Sequence, residues 1–146
     1  MGLATSRLYE MAPEADKERE KAVSPGVAYT VAARKTAALV GVSLTEGKAT
    51  VVGSAYHYLM GLGWAPVYVL LRRAFRLPAP GAGLLTGLGL WAGFDEGLVP
   101  RLGFSAPNRA YPLSTHLRGL LGHLSYGLTI MLVVEAIGLA GPRQLA

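Results

Sequence analysis

Of the ionisable side chains inside or at the ends of the apolar runs that follow residue 50, six could act together: His57, Asp95, Glu96, His116, Arg118 and His123. Charge is costly in hydrocarbon, and groups that tolerate it pair with one another or line polar cavities. Histidine titrates near neutrality, and adjacent acids relay protons. Handling of protons, ions or a small solute is therefore the first chemistry this set suggests. Two histidines at equal depth on parallel helices also suggest axial ligation, so His57 and His123 are the ligands of an alternative haem site. With Glu96 they form a weaker alternative for a divalent metal. No cofactor is expected on the primary reading.

Spacing supports the grouping. His116, Gly119, His123 and Gly127 recur at three and four residues and share one helical face. Gly53, His57, Gly61 and Trp64 do the same. Glycines above and below a histidine let another backbone approach it. Gly89 and Gly93 form a third small-residue stripe, with Glu96 near that face and Asp95 turned toward Leu88 and Trp91. Glu96 is thus the acid expected to point inward, toward His57 and His123. These glycines (Gly53, Gly61, Gly89, Gly93, Gly119, Gly127) are also the expected packing surfaces, within the chain or in a homo-oligomer or membrane partner.

The elements that position these groups follow from composition. The chain has 146 residues, 51% hydrophobic and only 16% charged, with a net charge of +5 and no cysteine. A soluble domain is typically about 25% charged. Lack of cysteine excludes disulfides, thiolate metal sites and a thiol nucleophile. The positive charge divides into +1 over residues 1–50, +3 at Arg72, Arg73 and Arg76, and +1 over the remainder. Its largest block adjoins two apolar runs and is a topology signal, so no nucleic-acid partner is expected.

Residues 1–50 read as a polar, partly helical segment and residues 51–146 as an all-α transmembrane bundle. Three spans are expected, at about 51–71, 81–99 and 115–139, each near the roughly 20 residues needed to cross hydrocarbon. Pro66 is tolerable in such a helix. Arg7 to Lys21 reads as a charged helix carrying Glu14–Lys17 and Glu18–Lys21 pairs, ended by Ser24-Pro25-Gly26. Val27 to Val42 reads as a surface helix. Glu135 falls near the opposite face, within reach of Arg72, Arg73 or Arg143. Consecutive spans make the first and third parallel, so the six ionisable groups collect at one membrane face. The basic turn favours the cytoplasm. That places residues 1–50 outside against their seven basic side chains, a conflict that an additional upstream span resolves.

Soluble-enzyme signatures are missing: no dinucleotide fingerprint, phosphate loop or H-E-x-x-H, and Ser54 and Ser125 lack a nucleophile elbow. A substrate is not indicated, and a non-enzyme is expected.

The His-Tyr of the first span, W-A-P-V-Y-V-L-L-R-R at 64–73, D-E-G-L-V-P at 95–100 and T-H-L-R-G-L-L-G-H-L-S-Y-G at 115–127 together resemble the YagU-like group of small bacterial inner-membrane proteins. The resemblance covers about residues 50–130. It implies a multi-pass protein of the inner membrane, in contact with the lipid bilayer, marked at His57, Asp95, Glu96, His116 and His123, and an association with acid resistance. It implies no reaction. A structural or assembly subunit packing through its glycine faces is the competing functional reading.

Overall fold

The computed structural model describes residues 2–139, which are helical throughout their ordered elements and contain no strand. The polar segment forms α1 (Gly2–Glu10), α2 (Glu14–Val23) and α3 (Ala28–Leu39). The apolar part forms α4 (Glu46–Arg73), α5 (Ala79–Gly89), a π-helical stretch (Leu90–Leu98), a single turn α6 (Val99–Arg101), a 3-10 turn (Asn108–Ala110) and α7 (Leu113–Ala136). Residues 79–101 are one uninterrupted rod whose pitch changes at Leu90.

Local chemistry accounts for most boundaries. The helix expected over 7–21 is instead two, because Pro13 lacks a donor and disfavours helical backbone at Ala12. Beyond it, Glu14 and Asp16 in the first turn of α2 and Lys21 in the last complement the helix dipole. Lys17 meets Glu14 at 3.1 Å, the pair the spacing predicts. Pro78 opens α5 and Pro112 opens α7. Three helices end on a glycine in the left-handed region: α3 at Gly41, α6 at Gly103 and α7 at Gly138.

Cross-contacts fix the directions. Tyr126 of α7 donates to the Gly61 carbonyl of α4. Further along both helices, Tyr68 and Arg72 of α4 donate to Glu135 of α7 at 2.7 and 2.6 Å. α4 and α7 are therefore parallel. α5 runs against α7, with Gly83 facing Gly127 and Gly87 facing the His123 carbonyl. At these points backbone meets backbone: a Cβ at Gly83 would lie 3.0 Å from the Gly127 oxygen, and those at Gly87 and Gly127 closer still to their facing carbonyls. The small buried core, Tyr68, Ala82, Ile130 and Val134, fills the half of the bundle nearest the basic turn. α3 folds back on α4, where Gly53 abuts the Tyr29 backbone and Ala33 and Ala49 are fully buried.

Of the three apolar runs, α7 alone is a helix long and apolar enough, by length and composition, to cross a membrane. α4 contains the first run, but Tyr56, His57, Tyr58, Trp64 and Pro66 lower its hydropathy, and the second run is divided by the change of helix type. Only 28% of the apolar window of α7 is buried.

Glu135 answers its expected partner. Of the candidates, Arg72 holds it, while Arg73 donates to the Leu139 carbonyl; Arg143 lies outside the described residues. Tyr68 is fully buried, so its hydroxyl depends on that carboxylate. Tyr68→Phe is expected to cost about 1–2 kcal/mol, the range for a lost hydrogen bond to a neutral or charged partner, read as a lowered thermal midpoint in detergent.

Candidate functional site

The candidate site is built on α7 and the π-helical stretch. His116 and His123 are seven residues apart, two helical turns, and project from one face of α7 about 10 Å apart along its axis. Asp95 and Glu96 are neighbours on the opposing rod. Both lie within the π-helical stretch, and each faces a different histidine.

Glu96 Oε1 lies 2.7 Å from His116 Nδ1, and His116 Nε2 lies 3.1 Å from the Asn108 carbonyl oxygen. Asn108 in turn donates from its side chain to the Glu96 carbonyl at 2.7 Å, tying the 3-10 turn to the rod. Tyr111 packs edge-on to the His116 ring. In the second pair, His123 Nδ1 lies 2.8 Å from the Gly119 carbonyl oxygen, and Nε2 lies 3.4 Å from Asp95 Oδ2. His123 is buried, whereas the Asp95 side chain is 42% exposed.

The carbonyls assign the protons. A carbonyl only accepts, so His116 Nε2 and His123 Nδ1 each carry a hydrogen. The other nitrogen of each ring then faces a carboxylate oxygen. A proton held between nitrogen and oxygen would satisfy both partners, and the two pairs lie within two turns of one helix.

His57 stands apart from this arrangement. It lies on α4. Its ring, however, is exposed and lies 5.3 Å from the Tyr29 ring of α3 and 5.9 Å from that of Tyr58. The expected convergence of His57, Glu96 and His123 is replaced by Glu96 with His116 and Asp95 with His123. Both ring nitrogens of His123 are engaged, and among the described residues no group of three or more His, Cys, Asp or Glu side chains is close enough to hold a metal.

Arg118 also has an unexpected partner. It donates to both Glu20 oxygens, at 2.6 and 2.8 Å, and its guanidinium lies 4.9 Å from the Tyr9 ring centroid. Thr115 donates to Glu20 and Ser114 to Asp16, at 2.5 and 2.6 Å. α2 thus places two carboxylates at the N-terminus of α7, where the dipole favours them. Arg19 completes the clamp by donating to the carbonyls of Ala110 and Arg109. Beneath the clamp is an open cleft of about 280 Å³ reached by Asp95, Glu96, His116, Arg118 and Trp91. Nothing local in the sequence marks Glu20 as a site residue; its partner is 98 positions away. Glu20→Ala is expected to leave α4 to α7 intact but to loosen α2, with faster tryptic cleavage at Lys17, Arg19 and Lys21.

The small residues divide by what faces them. Gly53 and Gly127 meet backbone. A Cβ at Gly61 or Gly89 would make ordinary contact with Tyr126 or Trp64, and one at Gly119 would lie 3.4 Å from the Trp91 indole nitrogen. That nitrogen is buried without a hydrogen-bond partner, the Gly119 carbonyl being taken by His123. Gly93, expected to pack, faces open space. Gly83 and Gly87, which were not singled out from the spacing, carry the closest α5–α7 approach.

No family model, curated protein or solved structure matches the chain.

Proposed function

We propose that this chain is a multi-pass protein of the bacterial inner membrane that binds and releases protons at one membrane face. On this reading α4 (over 51–71), the rod over 79–101 and α7 cross the bilayer. What supports it is the outer surface: Val51, Leu59 and Leu62 of α4, Leu84, Leu85 and Leu88 of α5, and Leu117, Leu121, Leu132 and Val133 of α7 are all exposed. Contiguous apolar surface of this extent marks contact with lipid or protein. Membership of the YagU-like group belongs to the same reading, and its association with acid resistance agrees with a proton-binding role.

The observation that carries the function is the pair of rings, His116 and His123, each with one nitrogen committed to a carbonyl and the other facing a carboxylate. The cleft reaches His116 and the carboxylates Glu96 and Asp95 from one side. Toward the other side Tyr68, Ala82, Ile130 and Val134 close the interior with apolar atoms. The reading is therefore a proton-responsive site, not a through-channel. The test is an acid jump on sealed liposomes carrying the purified protein and an internal pH dye. Uptake of protons by the protein above that of empty liposomes, with no added leak to the interior, is the expected result. Uptake equal to that of empty liposomes sinks the proposal.

A further inference from the structure

The far end of the bundle carries cations that the protein itself does not neutralise. Glu135 is consumed by Arg72 and Tyr68. Among the described residues Arg73 and Arg76 have no ion pair, and Arg73 reaches only the Leu139 carbonyl. At the other end Arg118, Arg34, His116 and His123 each face a carboxylate, while Arg101 and Arg109 are without an ion pair among the described residues. A second, independent feature marks the same turn. Where α3, α6 and α7 are followed by left-handed glycines, α4 is followed by Arg76 at φ 54°. An L side chain is strained there and glycine is the favoured residue. Between the two arginines Phe75 is 65% exposed, beside exposed Leu70, Ile137 and Leu139.

We infer that the turn over 73–76 binds the phosphate of an anionic phospholipid headgroup, with Arg73 and Arg76 on the phosphate and Phe75 among the upper acyl carbons. This rests on the membrane reading above. Arginine suits the role because its fork of donors matches phosphate oxygens, and the apolar neighbours favour a lipid over free phosphate. The strained Arg76 backbone is then the consequence of keeping a cation where glycine would fold better.

Arg76→Gly separates binding from folding, because it should relieve strain while removing the ligand. The protein is first floated with phosphatidylcholine liposomes containing phosphatidylglycerol, then released from nanodiscs of the same composition for native mass spectrometry. Arg76→Gly is expected to raise the unfolding midpoint by a few degrees in uncharged detergent. It is also expected to retain roughly fivefold less phosphatidylglycerol, the loss suited to one cation at a membrane surface. Arg76→Lys should retain most of it, and Arg101→Gln, at the other end, all of it. Failure of the wild type to float overturns the membrane reading and this one together. Flotation with equal phosphatidylglycerol retention in Arg76→Gly overturns the headgroup site alone, as does full displacement of the lipid by inorganic phosphate.

Discussion

On the proposed proton-binding role, replacing His116 and His123 together by glutamine is expected to abolish proton uptake in lipid, and each single replacement to remove about half of it. Glutamine has an amide donor that can serve the Asn108 or Gly119 carbonyl, so each ring's fixed hydrogen bond has a substitute. What it lacks is a site for the second proton, the one shared with Glu96 or Asp95. The expected loss is thus of exchangeable protons with the fold retained. Back-titration of unbuffered proteoliposomes counts the protons, and circular dichroism checks the helices. His57→Gln is the informative companion, since its ring lies against Tyr29 and outside both pairs. A double variant that titrates like the wild type would remove His116 and His123 from the function.

The second large effect belongs to the α5–α7 contact. Gly87→Val and Gly127→Val are each expected to prevent formation of the native bundle. The added Cβ at Gly87 collides with the His123 carbonyl and that at Gly127 with the Gly83 carbonyl. Overpacking a side chain costs about 1–3 kcal/mol when neighbours can shift; backbone oxygens inside two helices cannot. Size-exclusion profile and thermal unfolding in detergent should show aggregated or unfolded material. Gly93→Ala is the control. With nothing within 4 Å of its Cβ position, it should be tolerated, and would gain whatever helix propensity alanine adds.

The helical architecture, the parallel course of α4 and α7, and the pairing of Glu135 with a nearby arginine are legible because each follows from run length, alternation of direction and charge position; the choice of Arg72 is not. Nor are the azimuths. A step of 100° per residue points one acid inward, whereas the structure pairs both, and the π-helical stretch that carries them has no signature in residue type. The surroundings of His57 are decided by α3, whose docking through Gly53 and Tyr29 is a tertiary fact. The same holds for Glu20: a charged surface helix looks identical whether its acids meet water or Arg118. Among the glycines, spacing alone could not separate Gly87, which touches a backbone, from Gly93, which touches nothing.

The π-helical stretch also makes the chain sensitive to its own length. Its nine residues, Leu90–Leu98, close rings one residue wider than those of an α-helix. The wide turns absorb a surplus residue, so deleting one lets the segment tighten to α-helical pitch while the flanking helix keeps nearly its bearing. Asp95 and Glu96 lie inside the segment, so the deletion would move them against His116 and His123 with not one side chain chemically altered. The number of residues between Leu90 and Leu98 is itself part of the site.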